Sequence, residues 1–311
     1  MQVVAPSQVV HRMKPHTTRR LLGIFAHPDD ESFGPGGTLA KYAREGVDVH
    51  VCTVTDGAAG SPTSDVNAPD SEALARLRLR ELECACEELG AHLHILGYRD
   101  SGMEGSPDNR HPASLYQADL DTVAEDLVRV MREVRPHVVI THDPTGGYFH
   151  PDHIKVNHAV RRAWAKVNDP HAYPHLRAEG YEPWHPLRLY YTVIPRAPVR
   201  WLIRLLRLLG RDPRRFGQNG DIDLTRVGVP EEEIHARIDV SRYLKVKDRA
   251  SACHRSQGGG GFGGLPAWLR HRLMRHEHFT LAYPAPFGQH DDLFAHLDVP
   301  APTSHAQDVD T

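Results

Sequence analysis

The stretch Leu21-Leu22-Gly23-Ile24-Phe25-Ala26-His27-Pro28-Asp29-Asp30-Glu31 constrains this chain more than any other. A short apolar run ends in one imidazole and three carboxylates, with a proline turning the chain between them. An apolar run bounded by a breaker reads as a buried strand. Three adjacent acids repel one another, and a charge taken out of water needs a partner or a metal. Two outcomes satisfy this: a solvated acidic loop that caps the next helix, or a divalent cation at the C-terminal edge of the strand. His27 and Asp30, on either side of Pro28, can both reach such a cation. A matching stretch far downstream favours the cation.

The remaining elements follow from pattern. Residues 1–18 carry no periodicity and read as a flexible tail. Strands are expected over 20–26, 47–54, 92–96, 137–141, 189–194 and 234–240. Helices are expected over 39–46, 71–89, 120–134, 158–167, 200–209 and 246–255. Leu74, Leu77, Leu82, Ala85 and Leu89 form the apolar stripe of the second helix, and Gly90 ends it. Strands alternating with helices point to an open, mostly parallel sheet with helices on both faces. One α/β domain is expected over 19–298, with a core over about 19–170 and a less regular part, 171–298, that completes the site; 299–311 is a polar tail. Arg200, Arg204, Arg207 and Arg211 form one stripe, read as the solvated face of an amphipathic helix or a contact with an oligomer partner or lipid headgroups. The run Gly258–Gly261 suits a mobile flap.

Composition excludes several classes. A net charge of −3 over 311 residues gives no long-range pull toward nucleic acid or an anionic membrane. No apolar segment is long enough for a membrane span. The first eighteen residues lack the layout of a signal peptide. Cys52, Cys84, Cys86 and Cys253 contain no CxxC pair, and Cys84 and Cys86 are too close for a usual disulfide. Such usage fits a reducing cytoplasm. The partner expected is a small molecule, and a homo-oligomer is compatible with the chain.

After the fourth strand comes Thr141-His142-Asp143-Pro144-Thr145-Gly146-Gly147-Tyr148-Phe149-His150-Pro151-Asp152-His153, again with His-Pro-Asp just past a buried run. In open α/β sheets, ligands sit beyond the carboxyl ends of the strands, where two such loops converge. Two nitrogens and a carboxylate, with a fourth position left to water, make a catalytic zinc environment. No cysteine lies near either stretch to close a structural site.

With these residues the chain resembles the PIG-L/LmbE-like family of zinc-dependent de-N-acetylases, which includes the deacetylases that make glucosaminyl precursors of mycothiol and bacillithiol. Its Ala-His-Pro-Asp-Asp-Glu hallmark is matched by Ala26 to Glu31, and its later His-Pro-Asp-His by His150 to His153. The likeness extends through Gly36 to Ala40, Arg78 to Gly90, Arg99 to Gly102 and Gly146 to Tyr148, and ends at Lys247 to Gln257. It implies a Rossmann-like fold and an ion, Zn²⁺ or Fe²⁺ in the cell, held by His27, Asp30 and His153. Asp29 is then the general base toward the attacking water. His150 is the acid, or the positive group facing the tetrahedral intermediate, and Asp152 orients it. Tyr148 holds the oxyanion, and Arg78 and Asp100 grip the sugar or its aglycone. His254 and Gln257 close the fold over the site.

Amide hydrolysis asks for these residue types independently. Zinc lowers the pKa of bound water to about 7. A positioned base and acid each give roughly 10²–10⁴-fold, and an oxyanion donor on the order of 3 kcal/mol. The expected reaction is removal of acetyl from an N-acetylglucosaminyl compound. Where many relatives carry an acid after the second strand, the loop reads Thr55-Asp56-Gly57-Ala58-Ala59-Gly60, with Asp56 as the available acid. The aglycone stays open between inositol and malate, beside free N-acetylglucosamine, a chitin fragment, or an amidase reaction on a mycothiol-type conjugate. A nucleotide-binding module without catalysis is the reading from another class. Against it, Gly34, Gly36 and Gly37 do not make GxGxxG, and the neighbouring acids repel a pyrophosphate. Against a non-catalytic scaffold, every candidate position is filled; against a metallophosphatase, too few carboxylates are present for a bridged two-metal centre.

Overall fold

The computed structural model describes residues 18–217, 220–259 and 274–300. In chain order the elements are β1 (Arg20–Phe25), α1 (Asp30–Phe33), α2 (Gly36–Arg44), β2 (Asp48–Thr55), α3 (Ser71–Leu89), β3 (His92–Tyr98), α4 (Leu120–Val134), β4 (Val138–His142), α5 (Gly146–Phe149) and α6 (Pro151–Lys166). Then follow α7 (Pro174–Ala178), β5 (Arg188–Val193), α8 (Arg196–Leu208), β6 (Ala236–Asp239), α9 (Leu244–Cys253) and β7 (His276–Tyr283), with short 3₁₀ turns between some of them.

One seven-stranded sheet runs through them in the order β3-β2-β1-β4-β5-β7-β6. Its first five strands are parallel, while β7 is antiparallel to both β5 and β6. The order reverses between β1 and β4, the switch point where open α/β sheets leave a crevice. Those are the strands from which the two His-Pro-Asp loops depart.

The alternation along β1 explains the layers. Leu21 and Phe25 join the core formed with Leu39 and Tyr42 of α2, Leu82 of α3 and Leu244 of α9. Leu22 and Ile24 face the other way, onto Val123 and Leu127 of α4 and Val156 and Val160 of α6. A strand covered on both faces must be apolar throughout, hence the continuous run. Helix ends obey local chemistry. Asp70 caps α3 by accepting from the Ala73 N–H at 2.7 Å, and Gly90 ends it in the left-handed region.

Three features depart from the sequence reading. Helix α6 begins at Pro151 rather than near 158, so His153 lies in its first turn; proline is favoured there because it lacks only an N–H with no helical partner. Strand β7 was not expected, because its inward positions mix Glu277 with Phe279 and Leu281. Glu277 is buried and accepts from the Gly37 and Thr38 N–H groups at the start of α2 (2.9 and 2.7 Å), with Lys247 Nζ 2.6 Å away. Third, Cys84 and Cys253 form a disulfide that ties α3 to α9, while Cys52 and Cys86 are free and buried. This corrects the expectation of unpaired cysteines; the partners lie 169 residues apart, beyond any local spacing rule.

The arginines at 200, 204, 207 and 211 are exposed along α8 and just past it, and Val199 and Leu206 point inward. Trp201, Leu208 and Leu209 are exposed as well. No helix among the described residues is long and apolar enough to cross a membrane. The expected flap lies outside the described residues from position 260 onward, as do nearly all of both tails.

Candidate metal centre

The Ala26 N–H, just past β1, donates to His142 Nε2 at 3.0 Å, so the last residue of β4 stitches the two strand ends together. Beyond it, Asp30 Oδ2 accepts from the His27 N–H at 2.8 Å. Asp29, between them, sits at φ 136° and ψ −25°. An L-residue rarely occupies that region, and such strain is typical of functional sites. Its N–H is held by Glu31 Oε2 at 3.0 Å, and Glu31 Oε1 meets His254 Nε2 at 2.7 Å, both residues being fully buried. On the β4 side, Asp143 Oδ1 accepts from the Thr145 and Gly147 N–H groups (both 2.9 Å) and shapes the loop. Gly146 has φ +67°, and a Cβ there would lie 2.9 Å from the Cβ of His153, so the loop needs glycine at this position.

The two loops bring His27 Nδ1 to 3.0 Å from His153 Nε2. Asp30 Oδ2 lies 3.6 Å from the former, and its Oδ1 3.4 Å from the latter. Ligand atoms on a tetrahedral zinc, with bonds of about 2.0–2.1 Å, are ~3.3 Å apart. The far nitrogens set the tautomers. His27 Nε2 faces Asp152 Oδ2 at 3.3 Å and Asp100 Oδ1 at 3.5 Å, so it carries the proton. His153 Nδ1 faces the Gly146 carbonyl at 3.1 Å and also carries one. Burial opposes charge on His27, yet Asp100, Asp152 and Asp30 hold its pKa well above the usual imidazole value, so a proton bridges two nitrogens 3.0 Å apart beside a carboxylate, a place a metal cation can take. That arrangement calls for a cation between them, with each imidazole oriented by an outer partner.

Among the described residues, ligand atoms converge within 4.8 Å in three overlapping groups: His27, His150 and His153; Asp30, His142 and His153; and His27, Asp100 and Asp152. They make one cluster, with the expected trio split between the first two groups. His142 has its Nε2 lone pair occupied by the Ala26 N–H. His150, the N-cap of α6, accepts the Asp152 N–H on Nδ1 at 3.2 Å, so its Nε2 is a donor. The pair Asp100 and Asp152 belongs to the far side of His27.

All the residues expected at the site gather here, some in other postures. The Asp152 carboxylate faces His27 and the Ser101 N–H (2.9 Å); only its backbone touches His150. Arg78 and Asp100 are each 3% exposed. Arg78 Nη2 donates to Asp29 Oδ2 (3.1 Å) and the Pro28 carbonyl (2.8 Å), Nη1 to the Gly57 carbonyl (2.9 Å), and Asp100 Oδ2 is 3.7 Å from Nη1. Asp56 is occupied by the Ala58 and Asp100 N–H groups. Tyr148 lies with its ring 5.1 Å from that of His153 and 6.0 Å from that of His150.

Burial pushes the Asp29 carboxyl up to about 7, against the pull of Arg78. Burial also opposes charge on Asp30, but His153 and His142 hold that carboxyl well below the usual range. The His150 imidazole is brought down to about 4 by burial and by the His27 charge. Asp29 and Tyr148 border two cavities. One, of about 380 Å³, is lined by His150, Arg78, Asp100, Ser61 and Gln257. The other, of about 490 Å³, has walls from Phe33, Val193, Pro195 and Phe279. Sequence reasoning missed His142 and the support that Glu31 draws from His254. The three-acid run was the signal for Glu31; the likeness marked His254 as closing the fold over the site, not as its partner.

Residues 22–164 match the family model described as GlcNAc-PI de-N-acetylase. A 1D-myo-inositol 2-acetamido-2-deoxy-alpha-D-glucopyranoside deacetylase of Thermobifida fusca is 38% identical over 294 residues, covering 89% of this chain and 99% of that protein. A deacetylase of the same name from Acidothermus cellulolyticus is 39% identical over 296 residues, covering 90% and 96%. The N,N'-diacetylchitobiose deacetylase of Pyrococcus horikoshii shares the fold with a TM-score of 0.58 at 20% identity, over 85% of this chain and 83% of that one. The 4-carboxy-2-hydroxymuconate hydratase of Pseudomonas putida also reaches 0.58, at 18% identity, over 88% and 100%. A hydratase and a deacetylase on one fold mean that architecture alone does not choose the reaction. Sequence likeness across nearly whole chains does: this chain belongs to the PIG-L family and is a de-N-acetylase of N-acetylglucosaminyl substrates.

Proposed function

We propose that the enzyme deacetylates an inositol-linked N-acetylglucosamine, with zinc held by His27 Nδ1, the Asp30 carboxylate and His153 Nε2. The observation that carries the ion assignment is the convergence of His27 Nδ1 and His153 Nε2, 3.0 Å apart, with the Asp30 carboxylate oxygens 3.6 and 3.4 Å from them. The aglycone rests on the relatives, whose named substrate is the inositol compound and which match over 96–99% of their length. When bound, such an ion supplies Lewis acidity, lowering the pKa of water to about 7 and polarising an acyl oxygen.

The chain's own residues do the rest. Arg78 anchors Asp29 Oδ2, and Glu31 fixes the Asp29 backbone, so the carboxylate is aimed before substrate arrives. Asp29 takes a proton from the attacking water. His150, neutral at pH 7 in its buried position, offers Nε2–H to the oxygen of the tetrahedral intermediate; this replaces the role of proton-giving acid. Burial keeps the Tyr148 hydroxyl protonated, a second donor to that oxygen. The water oxygen bonds to the acetyl carbon, the C–N bond breaks, and the proton on Asp29 passes to the departing amine; the second proton of the water is then lost from the acid product to the amine or to solvent, leaving acetate and a free amino sugar. Asp152 and Asp100 keep His27 in its ligating tautomer, a positioning role in place of the direct sugar grip expected of Asp100.

A second reading, amide hydrolysis of a larger mycothiol-type conjugate, is favoured by the cavity of about 490 Å³ beyond Tyr148, which has room for an acyl group larger than acetyl. Acetate release from N-acetylglucosaminyl-inositol, N-acetylglucosaminyl-malate and diacetylchitobiose, measured with metal-stripped protein and after adding Zn²⁺ or Fe²⁺, tests the proposal. Fastest turnover of the inositol compound with zinc is expected. Preference for either other sugar, or equal rates without metal, overturns it.

A further inference from the structure

We propose that α8 is a docking surface for an anionic membrane, lying in the headgroup plane with Trp201, Leu205 and Leu208 toward the acyl chains and Arg200, Arg204 and Arg207 toward the lipid phosphates. The helix carries three stripes at helical spacing. The inner one holds it to the protein: Val199 and Leu206 are buried, and Leu202 and Ile203 join them in one apolar cluster with Leu224 and Val227. Trp201, Leu205 and Leu208, at i, i+4 and i+7, make a second stripe. Arg200, Arg204 and Arg207 make a third beside it.

The fold leaves the second and third stripes outside. Trp201 is 64% exposed, Leu208 84%, and Leu209, just past the helix, 63%. Single exposed apolar side chains are ordinary, but an indole and two leucines grouped on one surface element mark a contact surface. Arg200, Arg204, Arg207 and Arg211 are exposed, and none is in an ion pair among the described residues. Seven arginines and one carboxylate stand between positions 196 and 215, and that carboxylate, Asp212, is held by Arg214 at 2.9 Å.

Charge decides the occupant. A second copy docked about a two-fold axis would present the same patch from both sides, and α8 has no acidic residue to answer its arginines. A polyanionic chain such as RNA would meet the guanidinium groups but leave the indole and the leucines in water. A bilayer surface containing anionic lipid satisfies both stripes: the apolar one enters the headgroup–acyl boundary, where tryptophan is favoured, and the arginines reach phosphate. No helix among the described residues is long and apolar enough to cross a membrane, so the contact is in-plane. A net charge of −3 gives the whole molecule no long-range attraction, so binding depends on this local patch and weakens as salt screens it. The inner cluster also includes Tyr148, which sets the docked helix beside the substrate site. None of the docking side chains belongs to the deacetylation machinery, so the surface stands or falls apart from that reading.

The test is co-sedimentation of the full chain with sucrose-loaded vesicles, of phosphatidylcholine alone or mixed with phosphatidylglycerol. Wild type is expected to sediment with the mixed vesicles at low salt and to stay in solution with phosphatidylcholine alone. Arg200→Gln/Arg204→Gln should bind the mixed vesicles at least ~10-fold more weakly. Trp201→Ala/Leu208→Ala should lose binding too, which a purely ionic contact would retain. Both double variants should deacetylate at the wild-type rate in vesicle-free buffer. Should either fail to fold, the single changes Arg204→Gln and Leu208→Ala, each at an exposed position, decide in its place. No binding to the mixed vesicles, or equal binding by wild type and variants, overturns the proposal. So does a vesicle-free dimer that Trp201→Ala/Leu208→Ala converts to monomer, which would assign the face to a second copy.

Discussion

At the residue scale, chemistry is concentrated on Asp29, whose backbone is strained and whose carboxyl is buried beside a guanidinium. Replacing it with Asn should leave bound zinc at the wild-type level while kcat falls by roughly 10²–10⁴-fold. His153→Ala should lose both zinc and turnover. Full zinc and activity in that variant would contradict its place among the ligands. The base works deprotonated, and burial has raised its pKa from the ordinary carboxylate value to about 7. Activity should therefore decline tenfold per pH unit below that value, not below 4. Arg78 opposes the rise, so Arg78→Gln should move the acid limb to higher pH in a kcat/KM profile. The paired His-Pro-Asp stretches were legible because each is local and each follows an apolar run. The facing of Asp152 was not, because it depends on His150 being an N-cap, which only the true start of α6 reveals.

At the element scale, the site depends on how the later part of the chain braces the earlier. β7 delivers Glu277 to the first turn of α2, where two backbone N–H groups and Lys247 hold it. Removing one partner of a buried pair costs about 3–5 kcal/mol. Glu277→Ala should lower unfolding free energy by that order in a denaturant titration, with α2 exchanging its amide hydrogens sooner. Periodicity found the five parallel strands and the long helices: β1 and β4, buried on both faces, are apolar runs, while β2 opens with alternating polar and apolar residues. It missed β7, where a charged residue points inward and finds its partners on α9 and on α2, the latter 240 residues away. The same blindness to distance hid the disulfide between α3 and α9 and the contact between Glu31 and His254, 223 residues apart.

At the scale of the whole molecule, the sheet order turns two separate loops into one centre. Strand count and alternation carried the fold class, and the paired motifs carried the family; neither carried the aglycone, which is chosen by cavity walls assembled from many segments. The backbone at position 29 has a consequence for the molecule entire. An L-residue at φ 136° costs on the order of 1–3 kcal/mol, and glycine escapes that cost. Asp29→Gly should thus melt higher than Asp29→Ala, by about 1–2 kcal/mol, although both are inert. If so, this enzyme is held below the robustness its own architecture permits, and the shortfall is located at the carboxylate that moves the proton.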